Sequence, residues 1–237
     1  MEYPISFLKE QEGYEIYHAE EIDSTNSYLK RNGESFKDGS ILIADNQTKG
    51  RGRYIRSWLG SKEDLMFSLL SRKPLRYEIL LPVALIRVTR KHHIPSFIKW
   101  PNDIFADNRK LSGMLIESSY IGNQLDFQVI GVGMNLVEKR DVESTGISNY
   151  DKEVDKYQLL EEILFELNQL IQIPFNEVVD EYTRCDLILH RHIQYHGKRY
   201  YICGFTKEGY LIAEDEKEKI IIKSDEIDIK NSLEEKL

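Results

Sequence analysis

Short runs of β-branched, aromatic and other apolar residues in the first part of the chain predict a β-sheet. Turn residues bound most of these runs on both sides, which is typical of strands rather than of helices. Five main strands, and a sixth that follows them, are expected before residue 135: Tyr14–Glu20, Ile41–Asp45, Leu65–Leu70, Phe97–Trp100, Gly113–Tyr120 and Phe127–Val132.

Helical spacing of apolar residues, with capping and proline signals, predicts four helices. Asp23 or Ser24 can cap a short helix that runs through Leu29. Because proline suits the first turn of a helix, a second helix is expected to begin near Pro82 and to end at about His92. A longer helix with one apolar face and a short helix after it are expected at Lys156–Ile171 and Phe175–Arg184.

The pattern of apolar and polar residues changes near Leu187. Beyond it, short apolar runs and a turn at Lys207–Gly209 predict strands at Gln194–Phe205, Tyr210–Glu214 and Lys219–Ile222. This tail is long enough for a small barrel-like domain of about five strands. We therefore expect an α+β domain at residues 1–186 and a small all-β domain at residues 187–237.

Composition narrows the class of protein. The chain has 237 residues, a formal net charge of −8 and 41% hydrophobic residues. No apolar run reaches the roughly 18 residues that a membrane-spanning helix needs, and the acidic start does not resemble a signal peptide. The two cysteines, Cys185 and Cys203, have no metal-site spacing and cannot form a disulfide framework. We expect a cytoplasmic protein that does not bind membranes.

Basic charge is concentrated in one glycine-containing loop. Between Lys49 and Arg56 the chain carries four cationic side chains and no acidic one, although the whole protein is acidic. Arginine offers forked donors that suit carboxylate and phosphate, and glycine lets backbone N–H groups approach a ligand. Taken alone, the motif Gly50-Arg51-Gly52-Arg53 fits either a small anionic ligand or a flexible RNA-binding arm.

Further polar and glycine clusters lie at the predicted strand ends. Each has a purely structural alternative, because Asn and Asp are common in turns and glycine in a strand can mark a bulge. The clusters are Asp23-Ser24-Thr25-Asn26, Gln47-Thr48, Lys99-Trp100-Pro101-Asn102-Asp103, Lys110-Leu111-Ser112-Gly113 and Gly131-Val132-Gly133-Met134-Asn135. The last cluster is not a dinucleotide-binding fingerprint, because the third glycine and the following helix are missing.

Together, and in this order, these motifs closely resemble the catalytic domain of biotin protein ligases. The resemblance extends from about Tyr14 to Ile173, and more loosely through the β tail. It implies a mixed sheet flanked by helices, related to class II aminoacyl-tRNA synthetases, with an SH3-like C-terminal domain. It also implies an ATP-dependent ligase that forms biotinyl-5′-AMP and transfers biotin to a lysine of a biotin carboxyl carrier protein.

The resemblance assigns roles to individual residues. Catalysis falls to Lys110, Arg51 and Arg53. The residues implied to bind biotin are Ser24, Thr25, Asn26, Gln47, Arg51, Gly52, Arg53, Lys110 and Gly113. Those implied to bind the nucleotide are Arg53, Arg56, Trp58, Asn102, Lys110 and Asn135, and Asp103 is the candidate ligand for Mg²⁺.

The chemistry that the resemblance implies requires positive charge. The carboxylate of biotin must approach the α-phosphate of ATP, and these two anions repel each other unless cations neutralise them. Relatives that are also repressors carry an N-terminal helix-turn-helix domain, for which this chain has no room before Ser24. We therefore expect no DNA binding, and the sequence leaves open whether the protein forms a homodimer.

Three other functions are alternatives to a biotin ligase. A lipoate or octanoate ligase would share the fold, but its aliphatic substrate needs fewer polar groups than Ser24, Thr25 and Gln47 offer. An RNA-binding module and a catalytically inactive homologue that only holds biotin are further alternatives. His190, His192 and His196 could share one strand face, but nearby carboxylates lack zinc-site spacing, so solvated or hydrogen-bonded histidines are expected there.

Overall fold

A computed structural model describes residues 3–54, 56–139 and 143–223. Its main feature is an eight-stranded mixed sheet with the strand order β1-β2-β3-β4-β8-β7-β6-β5. Strands β2 and β3 pair in parallel, and the other neighbouring strands pair antiparallel. The strands are β1 (Ser6–Gln11), β2 (Tyr14–Ile22), β3 (Ser40–Gln47), β4 (Leu65–Ser71), β5 (Ser96–Lys99), β6 (Asp103–Ala106), β7 (Arg109–Ile121) and β8 (Gln124–Met134).

Helices cover both faces of this sheet. They are α1 (Thr25–Asn32), α2 (Tyr77–Lys91), α3 (Lys156–Ile171) and α4 (Phe175–Cys185), with short 3₁₀ turns at Gly33–Ser35 and Ile147–Asn149. Alternation along β3 divides the core, because successive side chains of a strand point to opposite faces. Ile41 and Ile43 join the large core under α2, α3 and α4, whereas Leu42 and Ala44 join the smaller core that contains Leu29 of α1.

A second, four-stranded sheet with the order β12-β11-β10-β9 follows the helices. Its strands are β9 (His192–Tyr195), β10 (Lys198–Phe205), β11 (Leu211–Glu214) and β12 (Lys219–Ile222). The turn between β10 and β11 contacts the main domain: the Trp100 Nε1–H donates to the Gly209 carbonyl (3.4 Å), and Arg76 donates to the Glu208 carbonyl (2.7 Å). Residues 224–237 of the predicted C-terminal domain lie outside the described residues, and the boundary at residue 187 stays a prediction.

Two predictions of elements were wrong in detail. Helix α2 begins at Tyr77 rather than near Pro82, which lies inside the helix and lacks the N–H that would donate to the carbonyl four residues earlier. The run predicted as one strand from Gln194 to Phe205 is a hairpin, because His196 and Gly197 adopt positive φ values of 47° and 75° and reverse the chain. Strands β1 and β6 were not predicted.

The other predicted strands and helices are present, with ends that differ by a few residues. Ser24, one of the two predicted caps of α1, accepts a hydrogen bond from the Ser27 N–H at 3.4 Å. None of the helices in the described ranges is long and apolar enough to cross a membrane.

Candidate active site

A cavity of about 600 Å³ opens where the loops at one end of the main sheet converge on its central strands. The beginning of α1 and the end of β3 form one side, and the turn between β5 and β6 forms the other. The middle of β7 and β8 makes the floor, and the loop between β3 and β4 covers it. The elements that carry the sequence motifs therefore meet in one place.

The side of the cavity next to α1 is neutral and rich in hydrogen-bonding groups. Gln47 Oε1 accepts the Thr25 backbone N–H at 2.9 Å, which joins the end of β3 to the first turn of α1. Asn26 contacts β8 at Gly131, where a Cβ atom would lie 2.1 Å from Asn26 Oδ1. Gly131 is therefore required for the close approach of helix and strand. The described residues that line this part of the wall, Ser24, Thr25, Asn26 and Gln47, carry no charge.

Cationic side chains line another part of the cavity. Lys110 Nζ lies 2.7 Å from Asp103 Oδ1, and the Arg53 Nη1 donates to Asn102 Oδ1 at 3.4 Å. Arg51 pairs with Glu117 at 2.9 Å. Burial alone would raise the pKa of Glu117, but hydrogen bonds from Lys30 and Asn26 and the charge of Arg51 outweigh it and lower the pKa. Glu117 is therefore ionised near neutral pH and holds Arg51 beside the cavity.

The indole of Trp58 forms part of the roof. The Trp58 backbone N–H donates to the Gly50 carbonyl at 3.0 Å, so the loop folds back on itself. The ring packs against the backbone of Gly133, where a Cβ atom would lie 2.2 Å from Trp58 Cε2. Lys110 and Lys139 place their Nζ atoms 5.7 and 5.1 Å from the ring centroid. The indole N–H is buried and has no acceptor among the described residues.

The turn that carries Asn102 and Asp103 is fixed to β7. The Asn102 Nδ2 donates to the Met114 carbonyl at 2.8 Å, and the Met114 N–H donates to the Asn102 carbonyl at 2.9 Å. The Trp100–Pro101 peptide bond at the start of this turn is cis. These contacts hold Asn102 and Asp103 at the cavity wall beside Lys110.

The structure brings nearly all of the residues predicted from the sequence to one cavity. The predicted residues that line it are Ser24, Thr25, Asn26, Gln47, Arg51, Gly52, Arg53, Arg56, Trp58, Asn102, Asp103, Lys110 and Gly113. Asn135 lies behind this wall, where its Nδ2 donates to the Lys110 carbonyl at 3.2 Å. Asn135 is not among the described residues that line the cavity, and its role in binding the nucleotide stays a prediction.

Some lining residues were missed by the sequence reasoning. Their types are ordinary for strands and cores, so no local signal marks them: Ser57, Phe67, Met114, Leu115 and Gln194. Gln194 comes from β9 of the small sheet, far along the chain from the other lining residues. Other lining residues belong to the sequence motifs but had no predicted role: Lys99, Trp100, Pro101, Gly131, Val132 and Gly133.

A buried aspartate and a group of histidines lie outside the lining of this cavity. Asp64 is fully buried, and its carboxylate accepts the backbone N–H groups of Ser61 and Leu136, each at 2.8 Å, which anchors the end of the β3–β4 loop. Within the described ranges, no cluster of three or more His, Cys, Asp or Glu side chains could hold a metal ion. The pattern of His190, His192 and His196 therefore does not form such a site.

Comparisons with known proteins agree with this geometry. Residues 18–135, about half of the chain, match the model of the biotin/lipoate A/B protein ligase family. The chain is 35% identical to the bifunctional ligase/repressor BirA of Escherichia coli over 131 residues, which cover 52% of this chain and 41% of that protein. It is 28% identical to the biotin–protein ligase of Schizosaccharomyces pombe over 248 residues, covering 85% of this chain and 39% of that protein.

A solved structure extends the match over most of the chain. The biotin protein ligase from Aquifex aeolicus in complex with biotin and ATP is 26% identical, with a TM-score of 0.76, and the match covers 90% of this chain and 97% of that one. The fold is that of a biotin protein ligase catalytic domain with a small β-sheet domain after it, as the sequence predicted. The chain belongs to the biotin/lipoate A/B protein ligase family. It spans about two fifths of the length of the two curated relatives.

Proposed function

We propose that the protein is an ATP-dependent ligase that forms biotinyl-5′-AMP and transfers the biotinyl group to a lysine of a biotin carboxyl carrier protein. One observation carries the proposal: a single cavity joins a neutral, hydrogen-bonding wall to a group of cationic side chains. Biotin has the same division, with an uncharged ureido ring at one end and a carboxylate at the other. The names of the matched relatives and of the Aquifex structure support the same substrates.

The residues divide the binding work by charge. Thr25, Asn26 and Gln47 would take the ring, because their amide and hydroxyl groups pair with neutral donors and acceptors. Arg51 and Lys110 would receive the carboxylate, because their positive charge favours the ionised form. The buried Trp58 N–H is a donor for the nucleotide side of the cavity.

In the first step, a biotin carboxylate oxygen attacks the α-phosphorus of ATP. An oxygen–phosphorus bond forms, the bond to the bridging oxygen breaks, and diphosphate leaves with that electron pair. Negative charge accumulates on the phosphoryl oxygens, and donors that are already in place stabilise it without reorganisation. Lys110 and Arg53 supply such charge from two sides of the cavity.

Mg²⁺ is proposed to accompany the nucleotide. Mg²⁺ prefers oxygen ligands and usually binds through substrate phosphates, waters and one or two carboxylates. Asp103 offers a carboxylate at the cavity wall, and Asn102 offers an amide oxygen beside it. This donor set fits an ion that arrives with ATP, whose role would be to neutralise phosphate charge.

In the second step, the lysine amine of the carrier attacks the carbonyl carbon of the mixed anhydride. A carbon–nitrogen bond forms, AMP leaves with the electrons of the carbon–oxygen bond, and the amine loses a proton to solvent. Water would compete for the same carbonyl, so the intermediate must be covered until the carrier arrives. The β3–β4 loop, with Arg53 and Trp58, lies over the cavity and would provide the cover.

Mass spectrometry with a carrier domain tests the proposal. The protein, biotin, ATP and Mg²⁺ should add one biotinyl group to the carrier, and replacing the acceptor lysine by arginine should abolish the product. A parallel reaction with lipoate distinguishes the rival ligase. Transfer of lipoate instead of biotin, or no transfer of either, would refute the proposed function.

We also propose that the protein acts in the cytoplasm. Both described cysteines, Cys185 and Cys203, are free thiols, which suits a reducing compartment.

A further inference from the structure

Four side chains form a continuous hydrogen-bonded chain behind the neutral wall of the cavity. Ser68 Oγ lies 2.6 Å from Asn26 Oδ1 and 2.7 Å from Thr25 Oγ1. Thr25 Oγ1 in turn lies 3.3 Å from Gln47 Oε1. Ser68 is fully buried on β4, whereas Thr25, Asn26 and Gln47 line the cavity. The directions of these hydrogen bonds decide what the wall offers to a ligand.

The amide orientation of Asn26 is fixed from behind. Its Nδ2 lies 3.1 Å from the Leu115 carbonyl and 3.3 Å from the Glu117 carboxylate. A carbonyl and an ionised carboxylate can only accept hydrogen bonds, so the NH₂ group must face them and Oδ1 must face Ser68. The Ser68 hydroxyl has one hydrogen, and it is committed to Asn26 Oδ1.

The hydrogen of the Thr25 hydroxyl then has to point inward. Ser68 Oγ can accept it, because its own hydrogen is used elsewhere. Gln47 Oε1 can also accept it, and the identity of that atom is fixed because it accepts the Thr25 backbone N–H. In either case the Thr25 oxygen keeps only lone pairs for the cavity.

We propose that Ser68 is a positioning residue that makes the Thr25 hydroxyl an acceptor toward the cavity, so that the site selects a ring with an N–H donor. The inference rests on the proposed function and names its selectivity. Gln47 Nε2 has Met66 Sδ, a weak acceptor, at 3.4 Å and so retains donor capacity for a ring carbonyl. An acceptor beside a donor matches the N–H and C=O groups of a ureido ring, and lipoate has neither.

The test measures selectivity rather than affinity alone. Dissociation constants are measured by calorimetry for biotin and for two analogues, each with one ring N–H replaced by oxygen. The wild-type protein should bind the analogue whose oxygen faces Thr25 about 100-fold more weakly than biotin, because two acceptors would then face each other. In Ser68→Ala the Thr25 hydroxyl can turn outward and donate, so this ratio should fall to about tenfold or less.

Two further variants separate positioning from general damage. Thr25→Val removes the hydroxyl, and Ser68→Ala added to it should not change the ratio further. Ser71→Ala removes another buried serine of β4, one that hydrogen-bonds Tyr77, and should leave the ratio at the wild-type value. If Ser68→Ala does not fold, Ser68→Cys keeps the volume and a weaker donor, and an intermediate ratio is expected.

The possible outcomes test the role of Ser68 separately from the proposed function. Absence of biotin binding by the wild-type protein would refute the proposed function. Biotin binding with the same ratio in wild type and in the Ser68 variant would overturn the role of Ser68 and leave the proposed function standing. A ratio that falls only when Ser68 or Thr25 is changed supports the inference.

Discussion

Replacing Lys110 by alanine should slow formation of the adenylate by two to three orders of magnitude. A unit charge about 4 Å from a substrate anion contributes about 4 kcal/mol at an effective dielectric constant of about 20, which corresponds to roughly 10³ in rate. The variant also leaves Asp103 without the cation that lies 2.7 Å away in wild type. That carboxylate would then repel the incoming anions, which adds to the loss.

The double variant separates these two effects. Lys110→Ala with Asp103→Asn should recover part of the biotin affinity, measured by calorimetry without ATP and Mg²⁺, because the unpaired negative charge is gone. The adenylation rate should not recover, because the double variant also lacks the proposed Mg²⁺ ligand. Single-turnover formation of biotinyl-AMP is the assay, and the thermal midpoint is the control for folding. Both side chains are partly exposed, so the free energy of unfolding should change by about 1 kcal/mol or less.

Arg109→Ala is the matched control for Lys110→Ala. Arg109 is the preceding residue on β7, and it pairs with Glu138 in an exposed ion pair at 2.6 Å. Its removal should leave the single-turnover rate at the wild-type value. A Lys110→Ala rate equal to that of Arg109→Ala would refute the electrostatic reasoning.

Three further predictions concern Arg53 in the roof, Gly133 in the floor and the buried carboxylate of Asp186, which accepts the Trp100 backbone N–H. Arg53→Gly removes the contact with Asn102 and should release about tenfold more free adenylate, because charge-assisted hydrogen bonds contribute about 1.5 kcal/mol. The released adenylate is measured by filtration. Release equal to wild type would contradict the proposal that the loop covers the intermediate. Gly133→Ala should displace Trp58 and lower ATP affinity, whereas Gly204→Ala, whose Cβ meets open space, should not. Burial raises the pKa of Asp186 to about 7, so unfolding releases a proton and stability falls as pH rises from about 4 to 7. Asp186→Asn should make the free energy of unfolding, measured by urea titration, depend less on pH in this range. An unchanged pH dependence would mean that other groups cause it.

The sequence allowed prediction of helices and strands whose apolar residues repeat regularly or whose ends carry clear capping residues. The long helix α3 was predicted at Lys156–Ile171, which are its observed ends, because one apolar face repeats through its full length. Strand β6 was not predicted because it follows a turn directly, and its first residue, Asp103, is of a type that is common in turns. Strand β1 has consecutive exposed residues, Phe7 and Leu8, at a sheet edge, so it also lacks an alternating pattern.

Some residues of the candidate site could be predicted from the sequence and others could not. Residues in compact motifs, such as Arg51 to Arg53, could be found because several chemically informative types stand together. Ser68 and Glu117 could not, because neither belongs to a compact group of chemically informative residues and their partners lie on other elements. Their roles come from strand pairing and helix packing, which bring together residues that are distant in sequence.

The contacts between the small sheet and the strand end at Trp100 couple two parts of the protein. The Gly209 carbonyl accepts from the Trp100 indole, and Trp100 lies two residues before Asn102 at the cavity wall. Coupling free energies are reciprocal. A ligand that immobilises this wall should therefore also stabilise the contact between the small sheet and Trp100. Hydrogen exchange of residues 206–210 should therefore slow when substrates fill the cavity, which would make the appended sheet a reporter of occupancy.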